Sequence, residues 1–194
     1  MTDFTLSPTE DDVFEALRAF LQDILPVQTS SPLVKHVVIV GQENRVPEPV
    51  EDNYVVMTPL RMPRLATNFN DFDGLTLEAT TRQAAQVVIQ LDIHGPQAFN
   101  NANRVSTLFR DGYAVDFFET FPDISPLFAD DPRQAQFVSG ESQYEDRYIV
   151  EANLQVNFTM TRATTSALTL TVDIIDAETP VASWPNGVAS ATGS

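Results

Sequence analysis

The amino-acid sequence predicts an α+β fold: a mostly antiparallel β-sheet with two main helices packed on one face. Three observations carry that expectation. Residues 148–160 alternate strictly, with Tyr148, Val150, Ala152, Leu154, Val156, Phe158 and Met160 on one side and Ile149, Glu151, Asn153, Gln155, Asn157 and Thr159 on the other. A period of two means one buried face and one wet face, and at ~3.3 Å per residue the strand spans roughly 40 Å, long enough for the spine of a sheet. Residues 7–25 and 96–118 instead repeat apolar side chains every three or four positions, the period of a helix with one buried stripe. The elements run α-β-β-β-α-β-β without an internal repeat, and a sheet with helices gathered on one face accommodates that order.

The first helix is expected over residues 7–25. Ser7-Pro8-Thr9-Glu10 reads as a capping box, with Ser7 at the N-cap, Pro8 at the first helical position and Glu10 closing the box. Asp11 and Asp12 suit the positive end of the helix dipole. Val13, Phe14, Leu17, Phe20, Leu21, Ile24 and Leu25 form the apolar stripe, and Pro26 ends the helix. Val34 to Val40 is a short apolar strand closed by Gly41; residues 42–53 have turn chemistry and no period. Tyr54 to Thr58 is a strand whose continuation is broken by Pro59 and Pro63, which confines it to a sheet edge or an arm. Residues 66–78 read as an exposed excursion, a hairpin tip. Val87, Ile89, Leu91 and Ile93 alternate as a half-buried strand, and Gly95-Pro96 turns the chain into one helix running to about Phe118. Residues 121–127 look irregular, and 130–147 read as a charged loop. Leu168, Leu170, Val172 and Ile174 alternate as a last strand, a hairpin partner for 148–160.

The 194 residues fit one domain, residues 1–176, followed by a flexible C-terminal tail, 177–194, with Trp184 docked. The chain has no cysteine, which excludes disulfides and thiolate chemistry. Its net charge is −16, so it would repel phosphate and is a poor sequence-independent binder of nucleic acid; a path that must not hold DNA, or simply a solvated surface, accommodates such charge. No apolar run approaches the ~20 residues of a membrane span. Met1-Thr2-Asp3-Phe4 lacks the basic and apolar regions of a signal peptide, and synthesis and use in the cytosol are expected.

The residues point away from catalysis. The two histidines, His36 and His94, lie on strands and read as structural. There is no nucleophile elbow, no Gly-rich phosphate loop and no zinc spacing. Asn70, Asp71 and Asp73 resemble the start of a calcium loop but lack its distal Glu. Asp11-Asp12, Asp130-Asp131 and Glu145-Asp146 are adjacent acids, which point to opposite faces of a strand and make no shared-proton dyad. No cofactor is expected. What remains is an arginine–carboxylate set: Asp130, Asp131, Arg133, Glu145, Asp146 and Arg147, with Arg104 and Arg110 across from them on a helix. Ten arginines stand against one lysine, Lys35, and arginine is the residue of protein interfaces; a GC-rich genome gives the same bias. The set is therefore the candidate contact surface.

Several stretches also carry a family resemblance: Val13-Phe-Glu-Ala-Leu-Arg-Ala-Phe-Leu, Gly41-Gln-Glu-Asn-Arg-Val-Pro-Glu-Pro, Tyr54-Val-Val-Met-Thr-Pro-Leu-Arg, Ile89-Gln-Leu-Asp-Ile-His-Gly-Pro, Ser106-Thr-Leu-Phe-Arg-Asp, and Pro126-Leu-Phe-Ala-Asp-Asp-Pro-Arg-Gln through Gln143-Tyr-Glu-Asp-Arg-Tyr. Together they cover most of residues 10–160. The chain resembles the neck (tail) terminator proteins of tailed bacteriophages. The resemblance implies a tail-terminator-like fold and a non-enzymatic virion protein of the head–tail interface, made in the host cytoplasm. It implies a homo-hexameric ring that caps the tail tube and joins it to the connector, with DNA passing through the lumen unbound. The implied partners are the tail tube protein and the head-completion or adaptor protein, with the tail sheath as a further candidate. The alternatives are a head-completion stopper or portal adaptor of the neck and, from another class, a hydrolase using the acidic clusters.

Overall fold

The computed structural model of the chain describes residues 4–26, 37–41, 53–138 and 144–164. Several expectations lie outside the described residues: Val34 to His36, most of the loop at 42–53, Glu141, the last strand at 168–174, and the tail with Trp184. The described residues belong to one compact unit, Met1–Thr164.

Two long strands form its spine. β5 (Glu78–His94) and β8 (Tyr144–Ala163) pair antiparallel along their length, from Glu78 opposite Ala163 to His94 opposite Arg147. β8 reaches back to Tyr144, and β5 begins well before Val87. Along the outer edge of β5 run β3 (Tyr54–Arg61) and β4 (Phe69–Asp73), both antiparallel; β2 (Val37–Val40) pairs parallel with β3. Along the outer edge of β8 run β7 (Arg133–Val138), β6 (Ile124–Ala129) and β1 (Phe4–Ser7), all antiparallel. Among the described residues both edges of 148–160 carry these strands. The result is a mostly antiparallel α+β architecture, as the sequence predicts.

Among the described residues three helices stand where two are expected: α1 (Glu10–Ile24), α2 (Ala98–Phe109) and α3 (Gly112–Phe118). The expected single helix at 96–118 breaks at Arg110–Asp111. Asp111 is an N-cap whose carboxylate accepts the Tyr113 N–H at 3.0 Å, and Gly112 behind it has poor helix propensity, so a new start is cheaper than continuation. At the front of α1 the cap is Thr9 rather than Ser7. The Asp12 N–H donates to Thr9 Oγ1 at 3.3 Å, and the Thr9 N–H donates to Asp12 Oδ2 at 2.7 Å. Ser7 is drawn into β1 opposite Thr159, so the helix starts later with an equivalent box.

Two further segments differ from expectation for one reason. Residues 124–129 and 133–138 are edge strands, not irregular chain and loop. An edge strand needs one face and one partner only, so Pro126 and a run of polar side chains are tolerated and the periodic signal is weak. The excursion at 66–78 is a hairpin, with Phe69–Asp73 paired to Glu78–Arg82. Its turn has Leu77 at φ 56, and Asp73 Oδ1 accepts the Leu75 N–H at 2.8 Å.

All three helices pack on one face of the sheet. Leu17, Phe20 and Leu21 of α1 meet Val105 and Phe109 of α2, Phe118 of α3, and Met57, Leu91, Val150 and Leu154 of the sheet in one fully buried cluster. Phe20 sits at its centre, with ring centroids 5.4–5.6 Å from Phe117, Phe118 and Phe109. Burial of each such side chain stabilises by about 1.5–3 kcal/mol. Below Ala85 on β5 and beyond Val156 on β8 no described side chain is fully buried. There the two strands, flanked by β4 and β1, continue as an arm.

Candidate functional site

The structure puts most of the charged set at the end of the sheet away from the arm. Asp130 and Asp131 link β6 to β7. The Asp130 N–H donates to the Glu151 carbonyl at 2.9 Å, and its own carbonyl accepts the Ser106 hydroxyl at 3.2 Å. Asp131, with its side chain 87% exposed, pairs with Arg110 Nη2 at 3.2 Å. The Arg110 Nε–H also donates to the Ala129 carbonyl at 2.5 Å, so this arginine ties α2 to the end of β6.

Arg133 on β7 donates to Glu151 Oε1 at 2.8 Å across the diagonal to β8. Arg147 grips Asp92 Oδ1 through Nε at 3.0 Å and Nη2 at 2.6 Å, and the other oxygen of Asp92 accepts Gln90 Nε2 at 2.8 Å. This pair is largely buried. Asp146 is exposed, with its carbonyl accepting the Gly95 N–H at 2.9 Å. The side chain of Glu145 lies outside the described residues.

Arg104 is not brought to the set. It donates to the Ile24 carbonyl at 3.2 Å, where it satisfies a C-terminal carbonyl of α1 and supplies the positive charge that the last turn of α1 lacks. The structure therefore joins Arg110 with Asp131, gives Arg133 and Arg147 acidic partners on the central strands, and assigns Arg104 to helix packing. Sequence reasoning missed Asp92 and Glu151 as those partners; their only signal is that each is an acid inside a half-buried alternating strand. His94 is a buried residue stacked on Tyr54, with ring centroids 4.5 Å apart.

Sequence reasoning also missed the apolar character of the arm. Leu60, Met62, Leu65, Phe69, Phe72 and Leu75 are all exposed, Leu75 by 96%. Their signal was available, since six large apolar side chains lie in a stretch that Pro59 and Pro63 bar from the sheet interior. Two of the concavities that border the helix layer flank α1. One, of about 390 Å³, is a largely apolar groove between the start of α1 and the arm, lined by Leu6, Pro59, Leu60, Met62 and Phe158 among others. The other, of about 800 Å³, lies against the outer side of α1. Among the described residues no group of three His, Cys, Asp or Glu side chains is placed to hold a metal ion, and no helix is long and apolar enough to cross a membrane.

Paired arginines at one end of the sheet and exposed apolar side chains on the arm at the other are features common at protein–protein contacts. The sequence profile of a family described as phage neck terminator protein matches residues 11–183, which takes in every element from α1 to β8. The chain belongs to the phage neck terminator family. No curated protein matches it. As a neck terminator it is a structural protein of the phage neck, and the family implies contact with other head or tail proteins of the virion.

Proposed function

We propose that this neck terminator forms a hexameric ring that caps the tail tube and joins it to the head–tail connector, with DNA passing through the lumen. The observation that carries this reading is the family match across residues 11–183. A ring requires a heterologous, closing interface, made by two different surfaces of each copy. In this reading Asp130, Asp131, Arg133, Glu145, Asp146 and Arg147, with Arg104 and Arg110, form part of the subunit or neck contact. Arg104, Arg110, Asp131, Arg133 and Asp146 are its exposed members; in this reading Asp131, Arg133 and Asp146 make the contact. Arg147, held largely inside the subunit against Asp92, shapes the surface from beneath, and Arg104 ties α2 to the end of α1. The net charge of −16 supports a lumen lined by carboxylates, along which DNA slides because nothing grips its phosphates.

The test is particle mass by light scattering, followed by imaging of growing tail tubes with and without the protein. The expected result is a particle of about six chains, or a ring at tube ends that stops growth. A monomer that leaves tube growth unchanged would refute the reading and favour the portal side of the neck. Charge reversal at Arg133 is expected to prevent ring assembly while the monomer stays folded; intact rings from that variant would remove the charged set from the contact.

A further inference from the structure

The arm has two chemically different faces. Cross-strand partners share a face, so the pairings of β1, β4, β5 and β8 fix which residues lie together. Leu6 opposite Met160, Phe4 opposite Arg162, and Phe72 opposite Ala79 stand at the positions that continue the helix side of the sheet; the Arg64 bridge to Ala85 joins them. Asp71, Asp73 and Glu78 stand at the alternate positions, on the opposite face. The helix-side face of the arm therefore combines Phe4, Leu6, Phe72 and Met160 with Arg64 and Arg162, all exposed, and its described positions carry no carboxylate. Neither arginine enters an ion pair among the described residues.

The outer side of the helix layer has the complementary character. Between Glu10 and Asp23 five carboxylates are exposed, and between Asp111 and Asp123 four more. Arg18 is the one basic residue within those two spans. The cavity of about 800 Å³ opens on this surface, where Asp11, Glu15 and Asp23 surround Phe14, Val40 and Phe117.

We propose that the helix-side face of the arm docks on the acidic outer surface of α1 and α3 of a second copy of this chain. The inference rests on the ring reading and names the surfaces that close the ring. Charge complementarity selects the occupant: a basic, apolar face without carboxylates matches an acidic surface with an apolar floor. The two patches are different parts of the chain, so each copy offers the arm to one neighbour and its helices to the other, which is the head-to-tail contact of a closed ring. Apolar contact supplies affinity, and the arginines set register and suppress wrong partners.

The absence of cysteine in the chain makes the test direct. Phe72→Cys and Ala19→Cys are made as separate variants, mixed, and treated with a short bismaleimide. The expected product is a cross-link between the two variants that neither gives alone. In parallel, Arg64→Glu with Arg162→Glu is expected to weaken self-association roughly tenfold or more by light scattering, with far-ultraviolet circular dichroism unchanged. Adding Asp11→Arg and Glu15→Arg to the same chain is expected to restore it. Wild-type rings with no mixed cross-link and no effect of charge reversal would overturn the arm assignment and leave the ring reading standing. A wild-type chain that stays monomeric both in solution and on tail tubes would overturn both.

Discussion

Arg147 and Arg133 differ in what they do for one subunit, and that difference is measurable. Arg147 pairs with Asp92 at 2.6 Å with side-chain exposures of 25% and 8%, whereas Arg133 pairs with Glu151 at 2.8 Å with exposures of 64% and 16%. In Asp92→Asn the guanidinium of Arg147 loses the Asp92 carboxylate while still largely out of water. Breaking a fully buried pair costs about 3–5 kcal/mol, and the quarter exposure of Arg147 lowers that to about 2–3 kcal/mol. For a folded unit of this size about 1 kcal/mol corresponds to roughly 2–4 °C, so the expected fall in Tm is about 5–10 °C. Glu151→Gln removes a partner from an arginine already in water; the expected loss is about 0–1 kcal/mol, under about 3 °C. The assay is thermal and urea unfolding by circular dichroism, at a dilution where light scattering gives a single mass for all variants. Replacing the Asp92–Arg147 pair by Leu and Met is expected to recover most of the loss, because both charges then leave the interior together. Equal shifts for the two single variants would refute the assignment of Arg147 to internal structure. So would a double replacement no better than Asp92→Asn.

Three other perturbations test the frame. Phe20→Ala empties the centre of the aromatic cluster and is expected to cost about 3–5 kcal/mol in urea unfolding, the largest loss of any single truncation in α1. Thr9→Ala removes the N-cap of α1 at about 1 kcal/mol, whereas Ser7→Ala is expected to be near neutral, which separates the two caps. The same box carries a pH dependence. The Asp12 carboxyl lies below its ordinary value because the Thr9 N–H and hydroxyl bond its charged form. Its contribution is therefore full above the unfolded carboxylate value of about 3.9 and is lost as pH falls through the lower folded value. Asp12→Asn should flatten that part of the acid-unfolding profile. Gly95 has φ 101 while its N–H holds the Asp146 carbonyl; Gly95→Ala is expected to cost about 1–3 kcal/mol, read from the same urea curves.

The elements that could be read from the sequence are those whose burial is one-sided over many residues. β8, the second half of β5 and α1 each carry a period long enough to identify element and face. β6 and β7 failed that test because an edge strand is short and its polar residues are permitted. The break between α2 and α3 was written in Asp111-Gly112, but the apolar period continues across it, and period outweighed the local cap. Charged partners were hidden for another reason. Arg147 and Asp92 are far apart in the chain and meet only because His94 stands opposite Arg147. Nothing local in the sequence encodes that register, so the charged set was legible as residues and illegible as pairs.

The same physics explains why the arm was legible as an edge or arm while its apolar character stayed out of view. Pro59 and Pro63 mark a stretch that cannot enter the middle of a sheet, and in a monomer such a stretch should be polar. Here it is not: among the described residues, nine of the fifteen exposed large apolar side chains lie on the arm or on β1 beside it. Scattered exposed apolar side chains need no explanation, but a concentration of this kind marks an interaction surface. Proline and arginine along it have a second use. They keep an exposed edge from pairing indiscriminately with other strands while leaving its side chains free for a specific partner. A subunit that must stay soluble alone and still assemble in one geometry needs both properties. The carboxylates on the outer side of α1 and α3 supply the solubility, and in the docking proposed for the arm they also select the face that binds them.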